Sequence, residues 1–128
     1  MTEQRKYRVL VVDDEASVLT TYRMILERQG YEVVACPTSR KALDVLKENH
    51  FDGVLCDYSL EEDHTGFEVI LAARQHDAGV PATLLTGYAT KDTADEASSR
   101  GIGIMFKPIE IDEFLATTSN MLRRKNES

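Results

Sequence analysis

At 128 residues, with 42% hydrophobic and 29% charged residues, the chain is long enough to bury a core of its own and has the balance of an ordinary globular domain. Its formal net charge of -7, from 15 Lys and Arg against 22 Asp and Glu, argues against nucleic acid as a direct partner, because phosphate binding needs a basic face. No apolar run approaches membrane-spanning length and the opening MTEQRKY lacks a signal-peptide core, so a cytoplasmic domain without membrane contact is expected.

Residues 7–12, YRVLVV, read as a first strand, followed by the polar loop DDEAS. A helix is expected from about Ser17 to Gln29, with Val18, Tyr22, Ile25 and Leu26 on its inward stripe and Gly30 as a left-handed stop. Residues 32–36, EVVAC, form a second strand. Pro37-Thr38-Ser39 then breaks the chain and offers an N-cap to a second helix over about 39–49, with Ala42, Leu43 and Leu46 inward.

The third strand, GVLCD at 53–57, suits burial on both faces, as in a parallel sheet, and stops abruptly at the carboxylate of Asp57. A polar loop from Ser59 to Gly66 leads to a third helix, in which Phe67, Ile70, Leu71 and Arg74 alternate between buried and exposed faces. Gly79-Val80-Pro81 resets the chain for a fourth strand, Ala82 to Leu85. The fourth helix, roughly 91–99, is KDTADEASS, with Ala94 and Ala97 and little else apolar, which makes it a candidate moving part. Gly101 ends it, a fifth strand follows at 103–106, and Lys107-Pro108 precedes a last helix from about Ile111. That helix has the clearest stripe: Ile111, Phe114, Leu115, Thr118, Met121 and Leu122. The closing RRKNES is expected to fray, with its basic residues where the helix dipole favours them.

Five strand–helix alternations imply an α/β fold: a five-stranded parallel sheet with right-handed crossovers, doubly wound by five helices, in a single domain spanning 1–128. In such a sheet all carboxyl ends lie on one edge, where ligands bind. Asp13-Asp14, Asp57, Thr86 and Lys107 each stand at one of those ends. Three clustered carboxylates repel one another, and a hard divalent cation such as Mg2+, which takes one or two carboxylates and keeps several waters, relieves that repulsion. With an ammonium and a hydroxyl opposite, the set resembles a phosphoryl-transfer site in which Asp57 is placed to be the nucleophile.

The motifs VLVVDDE at 9–15, Asp57 followed by Leu60, LLTG at 84–87 and Lys107-Pro108 together resemble the receiver domain of response regulators, the two-component signalling module, over about residues 7–125. The resemblance implies a flavodoxin-like strand order 2-1-3-4-5, which would also keep Cys36 and Cys56 apart as inert buried thiols. It implies that Asp57 accepts a phosphoryl group from a histidine kinase or histidine phosphotransfer protein. It implies direct Mg2+ ligation by Asp14, Asp57 and the Ser59 backbone carbonyl, with Asp13 acting mainly through water. Thr86 would bond a phosphoryl oxygen after modification. Lys107 would pair with that group and, before it, with Asp57, across a cis bond to Pro108. Helix four, strand five and helix five would form the output surface, toward a downstream domain or protein, and a dimer is left open. The chain could equally have been cut from a longer one.

Some positions depart from the family pattern. Ile104 stands three before the lysine, where the family has its aromatic switch residue, so a signal would pass through a different rearrangement. Glu61 replaces a proline, Gly66 comes one residue late, and EEDH at 61–64 lengthens and acidifies that loop. Gly87, where the family often has alanine, leaves room for a donor, and Tyr88 sits where acyl-phosphate lifetime is tuned. The alternative reading is a phosphorylation-independent interaction module, supported by Ile104 alone. A turnover phosphatase is disfavoured because it needs a second acid two residues after the nucleophile, and that place is Ser59. Taken singly, Asp13 and Asp14 are as well explained as helix caps, Thr86 as a turn residue, and His50, His64 and His76 as solvated side chains.

Overall fold

A computed structural model describes residues 6–127, with side chains described up to residue 124. Five strands, β1 (Arg8–Val12), β2 (Glu32–Cys36), β3 (Gly53–Asp57), β4 (Ala82–Thr86) and β5 (Gly103–Phe106), form one parallel sheet in the expected order β2-β1-β3-β4-β5. Five helices wind around it: α1 (Ala16–Arg28), α2 (Ser39–Leu46), α3 (Gly66–His76), α4 (Lys91–Ser99) and α5 (Ile111–Glu127).

Alternation along each buried strand divides the core into two layers. Leu10, Val12, Val54, Cys56 and Leu84 face one way, onto Ala42 and Leu46 of α2, Ile70 and Ala73 of α3, and Ala97 of α4. Val9, Val11, Leu55, Leu85 and Met105 face the other way, onto Leu19, Tyr22 and Leu26 of α1 and Phe114, Met121 and Leu122 of α5. Val12 pairs with Cys36 on one side and with Cys56 on the other, so a whole strand separates the two thiols.

The helix faces differ from the sequence expectations in places. In α1 the buried residues are Leu19, Tyr22 and Leu26, with Tyr22 stacked on Phe114, while Val18 and Ile25 are only half-buried. The α2 helix stops at Leu46 rather than near 49: the amides of Lys47 and Glu48 turn back to Asp44 and Val45, and the Asn49 side chain donates to the Val45 carbonyl. Val69 and Ala73 join the buried face of α3, whereas Leu71 and Arg74 flank it half-buried. Ala94 is exposed, which leaves Ala97 as the one buried residue of α4. Ile111, the first residue of α5, is 56% exposed instead of turned inward. The α5 backbone stays helical to Glu127, through the segment expected to fray; Ser128 lies outside the described residues. Gly30 and Gly101 take left-handed conformations, φ +91° and +65°, where helices were expected to stop.

Candidate functional site

Because all five strands run the same way, their carboxyl ends share one rim. Asp13 follows β1, Asp57 closes β3, Thr86 closes β4 and Lys107 follows β5. Asp13 is completely buried. Its Oδ1 accepts the backbone N–H of Glu15 at 2.9 Å and its Oδ2 accepts the Lys107 ammonium at 2.9 Å. The same Nζ stands 3.6 Å from Oδ2 of Asp57. The hydrogen bond of the lysine therefore goes to Asp13, with Asp57 as a longer-range ion pair. The physical reason is burial: an ionised carboxylate with no access to solvent needs the nearer countercharge.

Asp13, Asp14 and Asp57 bring one carboxylate oxygen each to within 4.8 Å of one another, and among the described residues they are the one such group of three or more potential ligands. Asp13 and Asp57 are buried and Asp14 is exposed, so the cluster opens to solvent past Asp14. Burial first, then the charge of Asp13, pushes the Asp57 carboxyl up to about 6 against the opposing pull of Lys107, with Asp14 adding further repulsion. Burial works against the Lys107 ammonium, but the hydrogen bond and charge of Asp13, with the charge of Asp57, hold its pKa above the ordinary lysine value. An uncompensated excess of negative charge on clustered oxygens fits a hard divalent ion.

Thr86 is buried on the same rim, but its hydroxyl is occupied within its own loop: it donates to the Tyr88 carbonyl at 2.7 Å and accepts the Tyr88 N–H at 3.2 Å. The Tyr88 side chain is 77% exposed and does not cover the cluster. Ser59 is exposed, two residues beyond Asp57, in a bridge to Thr65. Ile104 is half-buried against the layer that contains α4. The Lys107-Pro108 peptide is cis. The exposed histidines make only surface contacts, His50 to Asp77 and His64 to Glu68.

Three contributors were not legible in the sequence. Tyr22 carries a phenol whose pKa burial raises, partly offset by Lys107 and then raised further by Asp13 and Asp57. With Lys107, Val18, Pro108 and Ile109 it lines a cleft of about 510 Å³ beside the site. At Gly66, a Cβ would sit 2.6 Å from the Asp57 carbonyl oxygen, so only glycine admits this approach of α3 to the end of β3. Glu61 accepts hydrogen bonds from Ser39 and Arg40 at the start of α2; against the cost of burial, these draw its carboxyl down to about 2. A partner some 20 residues away leaves no local sequence signal. Glu61 in place of a proline, the late Gly66 and the acidic EEDH marked the loop as unusual, but none of them pointed to α2.

Comparison with known proteins agrees with this geometry. Residues 9–119 match the family model of the response regulator receiver domain. The transcriptional regulatory protein ZraR of Klebsiella oxytoca is 33% identical over 115 residues, which cover 89% of this chain and 26% of that protein. The chain thus spans about a quarter of the length of the curated relatives it matches. Among solved structures, a CheY-like receiver domain protein from Methanospirillum hungatei JF-1 superposes with a TM-score of 0.89 at 26% identity, covering 96% of this chain and 98% of that one. The beryllofluoride-activated NtrC4 receiver domain dimer superposes with a TM-score of 0.83 at 30% identity, covering 92% and 98%.

Proposed function

Because the chain belongs to the response regulator receiver domain family of two-component signalling, we propose that it is a Mg2+-dependent phospho-acceptor switch with Asp57 as the acceptor. An Asp57 carboxylate oxygen attacks the phosphorus of a phosphohistidine on a histidine kinase or phosphotransfer protein. The new O–P bond forms as the P–N bond breaks, and the electron pair leaves with the imidazole nitrogen. Asp57 is left as an acyl phosphate, later hydrolysed by water to inorganic phosphate. The domain turns over no other substrate.

Asp13, Asp14, Asp57 and the Ser59 carbonyl would hold the magnesium, which when bound supplies positive charge to the oxygens of the transferring group. Lys107, already within 3.6 Å of Asp57, neutralises the charge that arrives there. Thr86 exchanges its bonds to Tyr88 for one to a phosphoryl oxygen. The cleft beside Lys107 and the side-chain-free Gly87 leave a donor room to approach.

The observation that carries this reading is the convergence of three carboxylates and one ammonium from three separate strand ends on one partly open pocket. Treatment with acetyl phosphate and Mg2+ should add one phosphoryl group by intact mass, and equal labelling of wild type and Asp57→Asn would end the assignment. The second reading, a module that binds without phosphorylation, is favoured by Ile104 in place of an aromatic residue. A beryllofluoride titration that moves no resonance in α4 or β5 would select it.

The single receiver domain is proposed to be cytoplasmic, with no helix among the described residues long and apolar enough to cross a membrane. Relatives named as transcriptional regulators support control of a downstream output through the α4–β5–α5 face, and the NtrC4 dimer supports dimerisation as one form of that control.

A further inference from the structure

The loop between β3 and α3 is tied at both ends. At the cluster, Gly66 N–H donates to the Tyr58 carbonyl at 2.8 Å and Ser59 bridges to Thr65. Within the loop, Leu60 N–H donates to His64 O and His64 N–H to Glu61 O, both at 2.9 Å. Glu62 and Asp63 are forced to φ 53° and 64°, conformations that residues with a side chain adopt only when their surroundings hold them there. Leu60 is the apolar anchor, buried in the layer under α2 and α3.

The polar anchor is Glu61. Its carboxylate accepts Ser39 N–H at 2.7 Å, Ser39 Oγ–H at 2.6 Å and Arg40 N–H at 3.2 Å. The neighbouring donors of that helix end are satisfied locally: Lys41 N–H by the Thr38 hydroxyl and Ala42 N–H by the Thr38 carbonyl. Glu61 therefore completes the cap of α2 from a loop 21–22 residues away, and does so as an anion at the positive end of the helix dipole.

We propose that Glu61 is a positioning residue for the divalent-ion site: by clamping the loop to α2 it fixes where the Ser59 carbonyl stands relative to Asp13, Asp14 and Asp57. This rests on the metal reading above. Glu61 lies two residues after Ser59, the turn after it is strained, and its carboxylate ties that turn to α2, whereas the turn's His64–Glu68 contact runs only to the helix that follows it in the chain. Where the family pattern has the rigid ring of proline, this chain holds its loop by a side-chain clamp. The link also runs backwards, because an ion that orders Ser59 also orders the first turn of α2.

The test compares Mg2+ affinity, followed by NMR titration of the full chain, in wild type, Glu61→Ala, Glu61→Gln, Thr38→Ala and Asp57→Asn. Outer partners of metal ligands typically change affinity by about 10–100-fold. Glu61→Ala should weaken Mg2+ binding by about 10-fold, at the low end of that range because a backbone carbonyl is only one of the ligands. Glu61→Gln, which keeps an acceptor of the same shape, should recover part of the loss. Thr38→Ala damages the same helix end without touching the loop, so it should lower the melting temperature and leave Mg2+ affinity unchanged. Mg2+ should also slow amide exchange at Ser39 and Arg40 in wild type and not in Glu61→Ala. Unchanged affinity in Glu61→Ala, or an equal loss in Thr38→Ala, overturns the proposal while Asp57-dependent binding survives. Failure of Asp57→Asn to alter the wild-type titration overturns the metal reading and this proposal together.

Discussion

The loop after Asp57 and the loop after Thr86 leave neighbouring strands and border the same cluster, yet they are anchored very differently. The first has internal backbone bonds, a buried leucine, a capping box between Thr65 and Glu68, and a carboxylate clamped to α2. The second holds Thr86 and Tyr88 to each other, exposes the tyrosine ring, and passes into α4, which buries only Ala97. At the far end of α4, Arg74 of α3 donates to the carbonyls of Val80, Arg100 and Gly101. So α4 is tied to α3 just past its C-terminus, while the bonds at its other end, from Thr93 and Ala94 to Thr90, stay within its own first turn. A metal site needs ligands that do not move, and a switch needs two arrangements close in free energy. The fold provides these on opposite sides of one aspartate.

The largest expected effect breaks both sides at once. Asp57→Asn should lose all labelling by acetyl phosphate, measured by intact mass, with the sheet intact by circular dichroism. The same small substitution then separates the two loops. Gly66→Ala forces a methyl against the Asp57 carbonyl and a Leu84 methyl, both at 2.6 Å, and should cost about 3 kcal/mol in urea denaturation. Gly87→Ala meets nothing within 4 Å, so its stability should stay within about 0.5 kcal/mol of wild type.

Between these lies the charge balance of the cluster. In EDTA, the folded-state value of Asp57 near 6 exceeds its ordinary 3.8, so its ionised form costs stability. That cost is complete above pH 6 and disappears as pH falls through about 4. Asp57→Asn should therefore stabilise the metal-free protein by on the order of 2 kcal/mol at pH 7.5 and by almost nothing at pH 4, read from parallel melts. Lys107→Met should act in the opposite direction, destabilising by about 2 kcal/mol at pH 7.5, because it strands the fully buried Asp13 without its cation. If Gly66→Ala and Gly87→Ala proved equally benign, the contrast between the loops would fail.

Legibility followed the range of the signal. The strand β3, its final Asp57, the bounds of β2, α4 and β5, and the weak anchoring of α4 were all readable, because apolar runs and breakers act over a few residues. The inward faces of α1 and α5 were read less well: Leu19 was missed and Ile111 was wrongly turned inward. A helical stripe more than 100° wide does not say which edge the neighbouring element covers. The family motifs put Asp13, Asp14, Asp57, Thr86 and Lys107 on one rim, but not which carboxylate the lysine would choose.

By itself, then, the order of apolar runs, breakers and strand-end polar residues determined an α/β parallel sheet with its acids and lysine on a common edge, since parallel strands all end on the same side. Only the tertiary structure decided that Lys107 bonds Asp13, that Thr86 is turned toward Tyr88, that Gly66 admits no side chain, and that Glu61 reaches back to α2. Those outcomes depend on burial and on distances between groups far apart along the chain. Such quantities have no value until the layers are packed together.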